Sequence, residues 1–177
     1  MSKEKPSKEN VLEESYNAAY EYEKKYFGCA QCVLAAIQDI FRLVNGGAFK
    51  GATGLSGGIG VMGSACGALT GGVIALGLKI GRERSDFEDL EEIRWKTYEL
   101  ARKLYIKFEQ EYGSVNCRDI QKKILGRSYN LRDPEEYKEF EKAGGHAEKC
   151  PEVVGKAARW VAEILLEEQD LPAEVDV

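Results

Sequence analysis

An all-α protein, a helical bundle with a buried glycine-rich helix at its centre, is expected from three features of this 177-residue chain. Apolar residues recur at three- and four-residue steps along most of its length, the spacing of one helix face. Alternating runs of the kind that make strands are nearly absent. One stretch, residues 57–78, carries no charge and is dense in glycine and alanine around Cys66. Such a segment suits a helix packed closely on its neighbours, because no Cβ holds the backbones apart.

Residues 1–7 read as a disordered tail and residues 8–177 as a single all-helical domain carrying the cysteines. A first helix is expected over about 8–26, where Val11, Leu12, Tyr16, Ala19 and Tyr20 form the apolar face. Gly28 breaks it. A second runs over 29–41, ended by Asn45-Gly46-Gly47, since glycine commonly follows a helix. A loop with Gly51, Gly54, Gly57 and Gly58 leads to a buried helix over 66–78, closed by Gly81. The longest helix is expected over 86–112. Ser85 or Asp86 would cap it, and Glu88 or Glu91 would suit its dipole. Its inner face would be Leu90, Ile93, Leu100, Leu104 and Phe108, with Trp95 and Tyr98 beside them. The tyrosines and Trp95, at helical spacing, read as core. Short helices follow over 117–125 and 134–143, the latter with Pro134 in its first turn. After a break at Gly144-Gly145, a last helix over 150–168 would bury Val153, Val154, Ala157, Trp160, Val161, Ile164 and Leu165.

Composition narrows the function. The net charge is −5, which argues against nucleic acid as a partner, because phosphate contacts need clustered lysine and arginine. The first ten residues are charged and lead into no apolar core, so no secretory signal is expected and a cytoplasmic location is. Five cysteines in a reducing compartment are a poor disulfide framework, and an odd number leaves one unpaired. Metal binding or redox cycling suits them better. A chain this long buries roughly 70% of its unfolded surface and needs no metal merely to fold. The uncharged run is long enough to cross a bilayer, and Gly63, Gly67 and Gly71 mimic a helix-pairing face. Its glycines, its start in a loop and its lack of aromatic anchors make a buried helix the better reading, with no membrane. Gly58-Ile-Gly-Val-Met-Gly63 spells a dinucleotide fingerprint, but no strand precedes it, so no nucleotide site is expected.

Cys29, Cys66, Cys117 and Cys150 share one setting: each falls at or just before an expected helix start. Free N–H groups and the positive helix end there favour thiolate, the form that binds metals and attacks disulfides. Cys32 lies one turn after Cys29, so the two could act together or share a metal. His146 is the sole histidine. It could join Cys150 on a metal if that segment were helical; otherwise it is a loop histidine. A single histidine also weakens any cysteine–histidine hydrolase reading.

The run Cys66-Gly-Ala-Leu-Thr-Gly71, preceded by Gly28-Cys29 and followed at long intervals by Cys117 and Cys150, resembles the C_GCAxxG_C_C family, which is described as redox-active on the strength of its cysteines. The resemblance covers about residues 20–160. A similar module occurs in split-Soret-type cytochromes, where the cysteines carry an iron–sulfur cluster. Carried over, the four family cysteines are Cys29, Cys66, Cys117 and Cys150, and Cys32 is a departure. Haem attachment needs Cys-x-x-Cys-His, and Val33 follows Cys32, so the haem parts are not expected.

The resemblance thus implies an electron-transfer protein holding an iron–sulfur cluster, a [2Fe–2S] centre for preference, with Gly63, Gly67 and Gly71 allowing close approach and an unidentified redox partner protein. Tetrahedral zinc fits the same four ligands. The alternative is metal-free thiol–disulfide chemistry, cycling Cys29 with Cys66 or Cys32. No substrate pocket is legible, so no enzyme is inferred. A long amphipathic helix and exposed aromatics are compatible with a homodimer.

Overall fold

The computed structural model describes residues 6–170. The expected tail over 1–7 falls largely outside them. Ser7, though, caps the first helix, its Oγ accepting from the Asn10 N–H at 3.2 Å.

Among the described residues eight α-helices follow in order: α1 (Lys8–Tyr26), α2 (Cys29–Phe41), α3 (Gly46–Gly51), α4 (Gly67–Ile80), α5 (Ile93–Tyr112), α6 (Cys117–Leu125), α7 (Pro134–Lys142) and α8 (Cys150–Asp170). The fold is all-α. Among the described residues the only β feature is one antiparallel bridge, Ala65 with Asn116.

The core is built from α1, α2, α4, α5 and α8. Helix α8 packs on all the others, and α2 lies between α1 and α4. Small residues set the spacing. A Cβ on Gly71 would overlap the Ala30 carbonyl, so α4 rests directly on the backbone of α2. A Cβ on Gly72 would fall 2.7 Å from Leu104 and 2.9 Å from Val161, so α4 is also wedged between α5 and α8. The expected buried glycine-rich helix is therefore present. Leu34, Ile37, Leu76, Leu100, Leu104, Phe108, Ile164 and Leu165 fill the space between. Burying each such side chain contributes about 1.5–3 kcal/mol relative to exposure.

The structure departs from expectation at three places. Helix α2 ends at Phe41, with Arg42 in the left-handed region. Asn45, expected to help end it, instead caps α3, its Oδ1 accepting from the Ala48 N–H at 2.9 Å. Asparagine is a strong N-cap, and that preference prevails here. Helix α5 begins at Ile93 rather than 86. Asp89 and Glu92 adopt positive φ, at 60° and 56°, which stops a helix from running through them. The buried Asp89 carboxylate then takes the Arg94 N–H at 3.3 Å, in place of the expected caps at Ser85 or Asp86. As a result α8, at 21 residues, is longer than α5, at 20.

Third, Leu90 is 81% exposed, and Trp95 and Tyr98 are 56% and 54% exposed, so none is core. The inward stripe of α5 is Leu100, Leu104, Phe108 and Tyr112. Tyr98 is two residues from Leu100, about 200° round the helix. Tyr26 is also exposed, whereas Trp160 packs against Phe108 and Tyr112 as a core aromatic should. No helix among the described residues is long and apolar enough to cross a membrane.

Candidate functional site

Each of four cysteines is set at the head of a helix by a local device. Gly28, at φ 91°, turns the chain so that Cys29 opens α2. Cys66 is the N-cap of α4. Cys117 opens α6, and it lies beside Cys66 because the two segments run antiparallel. The Cys66 N–H donates to Val115 O at 2.9 Å, Cys117 N–H to Ser64 O at 2.7 Å, and Arg118 N–H to Gly63 O at 3.1 Å. Cys150 opens α8 after a wide helical turn, Gly145–Lys149, that Gly144 starts at φ 88°. That turn is possible because Gly145 sits under the Phe140 ring, where a Cβ would overlap it.

All four cysteines line one cavity of about 210 Å³. Its walls include Ser56, Gly57, Val61, Ile120, Gln121, Val153 and Val154, and Glu23, Tyr137 and His146 also border it. Gly67 packs against Cys29: a Cβ there would overlap the Cys29 sulfur and sit 3.1 Å from Ser56 Cα. Gly67 thus makes room for a sulfur, Gly71 for a neighbouring helix, and Gly63, at φ 74°, for the turn that packs against Arg118.

The cavity walls are mostly apolar and the thiols are buried in them, which runs against the expectation of thiolates favoured by helix ends. Burial pushes the Cys66 and Cys117 thiols up to about 12. Burial raises Cys29 and Cys150 as well, and the neighbouring acids and thiols add to the rise. The local dipoles oppose this without winning: Ala68 and Leu69 amides at Cys66, the Gly57 amide and Ser56 hydroxyl at Cys29, and Gln121 at Cys117. Half a unit of helix charge is less than the cost of placing an anion in an apolar pocket. Among the described residues, no three His, Cys, Asp or Glu side chains are grouped to hold a single metal ion.

Cys32 is not part of this wall. Its thiol donates to Phe27 O at 3.2 Å, it is buried, and it borders a separate depression with Tyr22, Asp39 and Phe49. His146 does border the cavity, with only 15% of its side chain exposed, and its Nδ1 pairs with Glu141. Phe27, Phe140 and Tyr137 surround the ring.

Two residues escaped the sequence reading. Gln121 is buried, its Nε2 reaching Cys117 Sγ at 3.6 Å while its Oε1 accepts from Tyr129 N–H at 2.8 Å. Its place one turn after Cys117 was the available signal. Glu23 is 2% exposed and its Oε2 has no partner. It falls in register with the buried stripe Leu12, Ser15, Ala19 of α1, a carboxylate where the helix period calls for an apolar residue.

The chain that brings these four cysteines from four helix starts to one cavity matches a family profile over residues 27–164, described as "Putative redox-active protein (C_GCAxxG_C_C)". The chain belongs to the C_GCAxxG_C_C family. No curated protein and no solved structure matches it. In this C_GCAxxG_C_C protein the motif letters have distinct physical roles. The first glycine of the Cys-Gly-Ala-x-x-Gly run, Gly67, gives space to the Cys29 sulfur, and the second, Gly71, lets α4 touch α2.

Proposed function

We propose that this C_GCAxxG_C_C protein holds an iron–sulfur cluster, a [2Fe–2S] centre for preference, on Cys29, Cys66, Cys117 and Cys150, and uses it to pass electrons. The observation that carries the reading is the cavity, about 210 Å³, lined by all four of these cysteines, one of which, Cys29, has its sulfur against Gly67. Four thiolates complete the ligand set of such a cluster, which supplies one-electron chemistry when bound.

The chain's own residues fit that group. Thiols kept neutral by burial would give up their protons on holding such a group, as metal binding generally releases protons. The amides of Gly57, Ala68 and Leu69, the Ser56 hydroxyl and Gln121 already face the sulfurs and would stabilise their charge, a lever on reduction potential. Val153, Val154 and Ile120 give the cavity apolar walls.

The raised thiols count against the metal-free dithiol alternative. Attack on a disulfide needs thiolate, and a thiol held near 12 supplies little of it at neutral pH. Zinc would use the same four ligands, but a single ion asks them to converge on one point, which suits a ring of sulfurs around a cavity less well than a polynuclear group does.

The test is the absorption spectrum of protein purified without oxygen, with iron, sulfide and zinc analysis. Visible bands with equal iron and sulfide are expected. Serine at Cys29, Cys66, Cys117 or Cys150 should abolish the colour, whereas Cys32→Ser should keep it. A protein that stays colourless after incubation with iron and sulfide would sink the reading.

A further inference from the structure

We propose that the turn over residues 55–64, flanked by Lys50 and Arg118, is the surface on which a small acidic electron-carrier protein docks. This rests on the redox reading above for its purpose, though not for its geometry.

Five consecutive residues of the turn, Gly57, Gly58, Ile59, Gly60 and Val61, have φ between 57° and 75°. Glycine adopts such angles freely, but Ile59 and Val61 are β-branched and are strained there. The turn is nevertheless well tied. Gly60 N–H donates to Gly54 O at 2.8 Å, Gly63 N–H to Gly57 O at 3.0 Å, and Ser64 N–H to Gly58 O at 3.0 Å. The side chains held at this cost are not core. Ile59, Val61 and Met62 are 48%, 39% and 57% exposed. Gly57 and Val61 also wall the four-cysteine cavity. The turn is therefore the partition between the thiols and solvent, with an apolar outer surface.

Charge selects the occupant. The chain carries −5 overall, yet from Arg42 to Arg82 it has four basic residues and no acidic one. Lys50 lies one helical turn before Gly54, which accepts from Gly60. On the other side, Arg118 Nε donates to Gly63 O at 3.1 Å, and its side chain packs under the turn. Neither Lys50 nor Arg118 is ion-paired among the described residues. The adjacent acid, Asp119, is engaged by Lys122, Ser114 and Asn116. An apolar knuckle flanked by free cations matches an acidic rim around an apolar patch. A second copy docked symmetrically would set these cations against themselves, because a two-fold interface repeats the same patch on both sides. With a cluster held by the four cysteines, one electron would pass to it from the reduced carrier, with no bond formed or broken.

Binding of the anaerobically purified full chain to a plant-type [2Fe–2S] ferredoxin, the acidic probe, tests this, with a basic c-type cytochrome as control. The ferredoxin should bind and the cytochrome should not. Affinity should fall at least about tenfold between roughly 20 and 200 mM salt, and again in Lys50→Glu with Arg118→Glu. Met62→Asp, at an exposed site that need not disturb folding, should weaken binding similarly with spectrum and melting point unchanged. Equal binding of both carriers, no ferredoxin binding, indifference to charge reversal and to Met62→Asp, or self-association through this face would each overturn the proposal. Binding is read on coloured and colourless protein alike. A chain that stays colourless after incubation with iron and sulfide yet binds ferredoxin at this surface upholds the docking while refuting the cluster.

Discussion

Replacing Gly67 by alanine separates the packing role of a glycine from its role at the sulfur. The new Cβ would overlap Cys29 Sγ, with Ser56 Cα at 3.1 Å and Ala30 N at 3.2 Å. Overpacking of this kind costs about 1–3 kcal/mol, and alanine's helix propensity returns at most about 1 kcal/mol. A net loss of about 1–2 kcal/mol is expected from those two effects. The larger consequence is chemical, because the neighbour that yields is the Cys29 sulfur. Two other glycines of α4 calibrate the result. At Gly77 a Cβ meets nothing within 4 Å, so Gly77→Ala should stabilise by about 0.5–1 kcal/mol. At Gly71 the Cβ meets the Ala30 backbone, which cannot step aside, and Gly71→Ala should cost more than Gly67→Ala. Urea unfolding with iron and sulfide analysis of each purified variant gives both readouts. Gly67→Ala should lose most of its iron while remaining folded. Full iron in Gly67→Ala, or a loss of stability in Gly77→Ala as large as in Gly71→Ala, would refute the reasoning.

Two pH effects follow from burial. In the metal-free chain the Cys66 and Cys117 thiols stand at about 12, against about 8.5 when unfolded. Their contribution to stability is full below about pH 8.5 and is lost as pH rises toward 12, at about 1.4 kcal/mol per pH unit for each thiol kept neutral. Urea midpoints should therefore fall between pH 9 and 11 by less in Cys66→Ser, and an identical fall would contradict this. Burial also raises the Glu23 carboxyl, whose Oε2 has no partner. The neutral acid is favoured in the fold, so its contribution is lost as pH rises through the folded value. Glu23→Gln should gain stability over the native chain at pH 8 and less at pH 4; equal effects at the two pH values would rule that out.

The sequence by itself determined the helices whose ends are written in local chemistry. Asp133-Pro134 begins α7, with Asp133 Oδ1 accepting from Glu135 and Glu136 N–H at 2.8 and 3.2 Å, and Gly113 ends α5 in the left-handed region. It also set four cysteines at four helix starts, because position along a helix is a property of neighbouring residues. Local signals failed where several competed. Residues 84–92 offer many capping groups, and Asp89 prevailed through its burial and its bond to the Arg94 N–H, neither of which the sequence displays. Only the tertiary structure decided that four thiols separated by up to 121 positions, from Cys29 to Cys150, border one cavity while Cys32 faces elsewhere. It alone reversed the thiol pKa expectation, because the helix dipole is local whereas desolvation is the sum of everything packed around a group. It also revealed Glu23 and Gln121, polar residues whose meaning depends on which side of their helix the rest of the chain covers.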